Sequence, residues 1–518
     1  MRVGIISVFV DYHRRGRKNR LAMQPAIGPL LAGLLPRDVE VELVNETWRD
    51  PDWSRDYDLL FLSSLHPDFD RARQISHYWR KRGAKTVYGG AFASAYPDLC
   101  QPFFDAVVVG DPEAAVPTIY ADFAKGDLNR RYVATRYSAE IVRSPRFDLL
   151  AGQSFTPLCL EATRGCPFEC EFCVLTGLGT RHHTRPVNDV LRDIRQGQGA
   201  VRSRWRPWRH RVIGFADNNL GGNLPYLREL CAALAPLGLQ WYAAATFNVA
   251  ANPELVRLMS RAGCRVLYVG LESFNPETIR DMNKNQNIVK KIRAVIDNCR
   301  RNGILLISGL MISPLTDDLD YLEAVPAHLE ACGLHVPTFI CFESPIPGTR
   351  HFHRLAARHD PVLLPDAQLR DFTGYTLTVR PARAPLPEFV GAYRRLITEV
   401  YSRSRRLRKL ADDLSYFLPG GYWFPALLDS IDMLAVDPAP GPARSLIAGS
   451  DTPPPEAVPL GASDFDSEDE YHRITAPWRV TDENGAALGQ WLTAQPIFER
   501  EGRTVERRQR AGLAAAAG

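Results

Sequence analysis

Cys166, Cys170 and Cys173 stand in the stretch TRGCPFECEFC, residues 163–173, at x3 and x2 spacing. Ten cysteines are spread over 518 residues, so three in one short turn-prone stretch is a ligand spacing rather than a disulfide spacing. Two metal chemistries compete for it. A structural zinc takes four protein ligands, and His182 and His183 could complete such a set. An iron-sulfur cubane held by three thiolates leaves one iron open to a further ligand, and a compact thiolate loop suits it better. Cys264, Cys299, Cys332 and Cys341 lie in apolar surroundings and read as core residues, so a single cluster is expected.

Such a loop needs a scaffold, and the chain is long enough for two to four domains. No apolar run approaches the ~18 residues of a membrane span. The start, MRVGIISVFV, runs into DYHRRGRKNR without a small-residue cleavage site, which fits a first β-strand rather than a signal peptide. A cytoplasmic, reducing location is therefore expected, with thiols free to bind metal. The net charge of +4 is too small to argue for nucleic acid. The local basic runs at 202–211 and 403–409 read as an exposed connection and a solvated helix face, so no nucleic-acid partner is expected.

The first 120 residues alternate strand-like runs (2–10, 39–45, 58–65, 85–90, 105–111) with helical patterns. In the helical stretch 68–83, Phe69, Ala72, Ile75 and Trp79 share one face and Gly83 ends it. This outlines a doubly wound, Rossmann-like α/β domain over 1–140. A second alternating series, with strands at 156–163, 211–217, 239–246, 264–272, 304–312 and 337–343, predicts a partial (βα)6 barrel of the TIM type over 150–350. The chemistry of such barrels sits in loops after the strands, and the cysteine triplet follows the first one. Residues 360–436 read as a mainly helical region, and 437–518 as a Pro-rich linker and tail. The aromatic stretch 415–434 could cover a hydrophobic substrate or pack a terminal helix on the barrel. His351, His353 and His359 could carry protons or lie on the surface.

CPFECEFC resembles, residue by residue, the Cys-x3-Cys-x-aromatic-Cys loop of the radical S-adenosylmethionine (SAM) enzymes. The resemblance implies a 4Fe-4S cluster on the three cysteines, SAM on its open iron, and a 5′-deoxyadenosyl radical formed by one electron. Phe172 would lie beside the adenine. Asp217 and Asn219, in FADNN after the second strand, would hold the SAM amino group, or else form a helix-capping turn. Glu272, in VGLES, would accept from the ribose hydroxyls or make a barrel-mouth salt bridge. ESPIPGT (343–349) is similar to the sixth-strand end of the same barrels.

Ahead of such a barrel, the α/β domain resembles the cobalamin-binding domain of the B12-dependent branch. The matching segments are LSSLHP with Ser63 and Leu65, VYGGAFAS with Gly89 and Gly90, and DAVVVGDPE. Glycines at a strand end let a flat ligand approach the backbone, and Ser63 offers a hydroxyl to a buried nucleotide tail. Asp11, His13 and Gly16 in DYHRRG match the Asp-x-His-x-x-Gly motif, in which histidine ligates cobalt and aspartate orients it. A solvated basic loop with an incidental histidine is the competing reading.

The resemblance implies a cobalamin-dependent radical SAM methyltransferase that moves a methyl group from SAM via methylcobalamin to a substrate carbon. Ring formation or oxidation without methyl transfer is the alternative, and a non-catalytic cobalamin sensor a remote one. A small, hydrophobic substrate and an electron donor such as flavodoxin or ferredoxin are the expected partners.

Overall fold

A computed structural model describes residues 1–10, 25–134, 143–150, 158–178, 181–202, 207–356, 362–364, 367–435, 446–447 and 458–480. The first sheet contains β1 (Arg2–Ser7), β2 (Glu40–Asn45), β3 (Leu59–Ser63), β4 (Lys85–Gly89), β5 (Ala106–Gly110) and β6 (Arg131–Ala134), all parallel in the order β2-β1-β3-β4-β5-β6. The central strands read as unbroken apolar runs because helices cover both faces. Helix Phe69–Arg80 buries Phe69, Ala72, Ile75 and Trp79 completely, on the stripe its periodicity marks out. The sequence pattern missed β6, which is short and charged and sits at the sheet edge beside β5.

The second unit begins at β7 (Cys159–Leu160), followed by a small hairpin of β8 (Thr163–Arg164) and β9 (His183–Thr184). Its other strands are β10 (Val212–Phe215), β11 (Gln240–Ala244), β12 (Cys264–Tyr268), β13 (Leu305–Ile307), β14 (Gly309–Ile312) and β15 (Phe339–Phe342). β7, β10, β11, β12 and β13 form one parallel sheet in that order, and β14 pairs with β15. The stretch 304–312, read as one strand, is thus two: β13 pairs back to β12, β14 pairs forward to β15, and Ser308 is the bend between them. The result is a six-unit partial barrel.

Helices Leu386–Val400, Arg403–Phe417 and Trp423–Ala435 follow. Phe417, Phe424 and Ala426 pack on Val212 and Leu305, the first residues of β10 and β13, and on Val266, which is level with Leu305 in β12. The aromatic stretch 415–434 therefore closes the barrel at the end opposite the cysteine loop and does not cover a substrate there. The run 403–409 is not simply a solvated face either, because Lys409 is buried between Asp413 and Asp429.

Residues 458–480, expected within a linker and tail, return to the first domain. Trp478 meets the rings of Phe69 and Phe103 at 6.0 and 6.4 Å, Phe465 stacks on His77 at 5.0 Å, and Lys81 pairs with Asp466 at 2.7 Å. The same segment hydrogen-bonds the chain after the barrel, Leu369 N–H to Trp478 O at 2.8 Å and Val480 N–H to Ala367 O at 2.9 Å. It straps the two units together. Among the described residues no helix is long and apolar enough to cross a membrane.

Candidate active site

Asp217, at the end of β10, spends its carboxylate on the chain leading into the cysteine loop. It accepts from the N–H groups of Ala162 (3.2 Å) and Thr163. Burial pushes its pKa up to about 7. Thr163 and Arg164 then pair with Thr184 and His183, so the loop is closed at its base by the β8–β9 hairpin. Gly165 has φ +81°, and a Cβ there would strike the Arg181 carbonyl, so only glycine makes the turn into Cys166.

The three thiols share a half-buried environment that pushes each of them up, while backbone N–H groups oppose the shift. Cys166 faces the N–H of Phe168, and Cys173 those of Leu175 and Thr176. Asn219, fully buried, places Nδ2 3.5 Å from Cys166 Sγ. Gln286 Nε2 lies 3.7 Å from Cys170 Sγ. Lys284 Nζ pairs with Glu272 and stands 5.5 Å from the centre of the Phe172 ring. Burial brings Lys284 down to about 8, and all three cysteines act on it electrostatically. Glu272 itself has φ +66°, a conformation uncommon for a residue with a side chain. Its backbone bonds on both sides to β14, accepting from Met311 N–H at 2.6 Å and donating to Gly309 O at 3.2 Å.

Sequence reasoning missed the segment that ties this together. Asn283 Nδ2 donates to Glu169 O at 2.7 Å, Lys284 reaches Glu272, Gln286 reaches Cys170, and Asn287 donates to Gly270 and Leu271 carbonyls at 2.9 Å. The only signal in the sequence was a density of amide side chains, NKNQN, after a short helix.

The thiol arrangement does not suit a single zinc. Sulfur ligands at about 2.3 Å from one tetrahedral zinc lie about 3.8 Å apart. Among the described residues the only trio of His, Cys, Asp or Glu with ligand atoms all within 4.8 Å of one another is Asp281, Glu343 and His351. The three cysteine sulfurs do not all lie within 4.8 Å of one another. His182 is instead bonded through Nε2 to Asn219 O at 3.1 Å. The Asp281 trio is already filled by Arg354, which binds both Asp281 oxygens at 2.8 and 3.0 Å and lies 3.0 Å from His351 Nδ1. His351 and His353 are buried rather than on the surface; His359 lies outside the described residues.

A cavity of about 710 Å³ joins the two units. Ser63, Gly89, Gly90 and Gly110 line it at the ends of β3, β4 and β5, and Glu161, Arg164, Gly165, Leu175 and Asn218 line it at the cysteine loop. At Gly89 a Cβ would meet only Val108, at 3.6 Å, so a larger side chain would occupy the cavity itself. Gly90, with φ +116°, brings its backbone close to Ser63 and Ser64. Leu65 is 62 % exposed and stands outside the cavity lining, whereas Ser63 is within it. Asp11, His13 and Gly16 lie outside the described residues.

Residues 160–324 match the radical SAM superfamily. Bacteriochlorophyllide d C-8(2)-methyltransferase of Chlorobaculum tepidum is 26% identical over 341 residues, 62% of this chain and 74% of that protein. Hopanoid C-2 methylase of Rhodopseudomonas palustris is 25% identical over 354 residues, 64% of each chain. Among solved structures, the radical SAM methyltransferase TsrM from Kitasatospora setae, with cobalamin and a [4Fe-4S] cluster bound, superposes with TM-score 0.53 at 16% identity, over 70% of this chain and 80% of that one. The cobalamin-dependent SAM radical enzyme OxsB, with aqua-cobalamin and SAM bound, gives 0.58 at 13% identity, over 100% and 81%.

Proposed function

We propose that this chain, whose residues 160–324 match the radical SAM superfamily, is a cobalamin-dependent methyltransferase acting on a carbon of a small hydrophobic molecule. The observation that carries the reading is the single cavity running from the glycine edge of the first sheet to the cysteine loop. Two cofactors that exchange a methyl group must share one chamber, and this one offers a flat backbone floor at one end and, at the other, Gly165 and Leu175 on either side of the three cysteines. When bound, a 4Fe-4S cluster supplies the electron that cleaves SAM to a 5′-deoxyadenosyl radical, and cobalamin relays the methyl group.

Cys166, Cys170 and Cys173 hold the cluster, and the amides of Asn219 and Gln286 donate toward its sulfur ligands. Phe172 would lie beside the adenine, and Glu272, paired with Lys284, would accept from the ribose hydroxyls. Asp217 serves by fixing the loop's entrance. Ser63, Gly89 and Gly90 would cradle the corrin side, and His13 of the DYHRRG motif would be the cobalt ligand with Asp11 as its partner. The substrate sits against the apolar group of Phe172, Met282, Met311, Phe339 and Tyr375 beside the loop. The related proteins named for bacteriochlorophyllide and hopanoid substrates support a hydrophobic target. A one-electron donor of the flavodoxin or ferredoxin kind supplies the reductant.

The test is anaerobic reconstitution with iron, sulfide and cobalamin, followed by turnover with SAM labelled in its methyl group. Candidate hydrophobic substrates come from metabolites lost on deletion of the gene. A product carrying the label is expected. A product that has lost hydrogen but gained no label would replace methyl transfer with oxidation or ring formation, and absent corrin absorbance would remove both.

A further inference from the structure

Arg164 lies two residues before the first cluster cysteine, and its guanidinium is gripped by three carboxylates from two units. Nη1 is 3.0 Å from Asp111 Oδ1 and 3.1 Å from Glu113 Oε2, Nη2 is 2.8 Å from Glu113 Oε1 and 2.5 Å from Glu161 Oε2, and Nε is 3.3 Å from Glu161 Oε1. Asp111 and Glu113 follow directly on β5, at the start of helix Pro112–Lys125, while Glu161 and Arg164 flank the entry to the barrel. Glu113 is 2% exposed and Arg164 17%, so the pair is held away from water. Burying charges costs more than a surface pair returns, and a planar fork meeting two carboxylates fixes direction as well as distance.

The backbone around Arg164 has little freedom to absorb movement. Thr163 is held by Asp217, Arg164 is paired with His183, and Gly165 is locked by the Arg181 carbonyl. A displacement of the guanidinium is therefore passed to Cys166. On the other side, Glu113 sits in the first turn of the helix that follows the strand carrying Gly110, one wall of the cavity, without itself lining that cavity. Domains joined by one chain move relative to each other unless something prevents it.

We propose that the Arg164–Asp111–Glu113 ion pair is a positioning device that sets the register between the cavity floor of the first sheet and the cysteine loop. Resting on the methyltransferase reading, the pair governs how often a cleaved SAM leads to a transferred methyl group. Glu113 is a positioning residue in this scheme, acting through the strand and through Arg164, which itself lines the cavity.

The experiment compares the full chain with its Glu113→Gln and Arg164→Lys variants. In the cofactor-free proteins, amide hydrogen exchange read by mass spectrometry is expected to accelerate about tenfold in 106–113 and 163–173, with β11 and β12 unchanged. In the reconstituted Glu113→Gln protein, whose changed residue does not line the cavity, 5′-deoxyadenosine formed per methyl transferred is expected to rise about fivefold at iron and cobalamin content equal to wild type. The double variant should be no worse than either single one, because both break the same contact. Exchange unchanged in both segments, or accelerated throughout the chain, overturns the proposal. Local acceleration with an unchanged ratio overturns the link to methyl transfer. Local acceleration in a chain that methylates nothing sinks the methyltransferase reading while leaving the register between the two units in place.

Discussion

Asp68 is fully buried, accepts from Val10 N–H at 2.8 Å, and has its pKa pushed up by that burial to about 8, against the ordinary 3.8. Folded chains therefore keep a proton that unfolded chains release above their lower pKa. The folded state binds the extra proton between these values, so this contribution to stability is full below about pH 4 and is lost as pH rises toward about 8. Asp68→Asn should equal wild type under acid conditions and exceed it by roughly 2 kcal/mol in mild alkali, read by denaturant titration of tryptophan fluorescence. At the cluster, Cys166→Ala, Cys170→Ala and Cys173→Ala should each remove the cluster's iron and abolish SAM cleavage, checked by iron analysis and 5′-deoxyadenosine yield. Gly89→Val should block corrin binding without unfolding the chain, because its side chain would enter the cavity rather than the core. The cysteines were legible because their spacing is itself the signal. Lys284 was not, since a lysine among amides reads as a solvated turn until Glu272 and Phe172 arrive from distant strands. Asp217 was open in the sequence for a related reason: a carboxylate after a barrel strand can face a ligand or the neighbouring backbone, and here it accepts from the backbone of Ala162 and Thr163.

Strands and helices of the two units could be read from alternating apolar runs, because buried parallel strands leave an unmistakable hydrophobic stretch. The helical hairpin under the barrel was harder, since its energetics rest on charges that look exposed in sequence. Lys409 bonds Asp413 at 2.7 Å and also Asp429, and Arg300 bonds Asp413 at 2.6 Å, all buried. Lys409→Met removes a cation and leaves two carboxylates facing each other in the interior. Its cost should be about 3 kcal/mol, measured by denaturant unfolding, whereas Lys409→Met combined with Asp429→Leu should recover most of it. Basic runs are poor guides to surface when acids one helical turn away can bury with them.

At the scale of the whole molecule, the strap formed by residues 458–480 was invisible in the sequence. It has little periodicity, and its partners are some 400 positions away, as in Arg73 donating to Arg473 O at 2.6 Å. Trp478→Ala should weaken the grip on Phe69 and Phe103 by about 3 kcal/mol and release the first unit as a separate thermal transition, visible by calorimetry. The strap also imposes an order on biosynthesis. A ribosome adding about 5–20 residues per second finishes β6 roughly 20–70 s before it finishes the strap. During that interval the first sheet is complete, while the barrel loop that walls its cavity and the segment that clamps it are still being made. A nascent chain thus exposes the glycine edge of its first sheet before the barrel loop that walls the cavity on the other side has been made, whereas a released chain has both walls in place. Corrin supplied during expression should give higher occupancy than the same amount added to the purified protein.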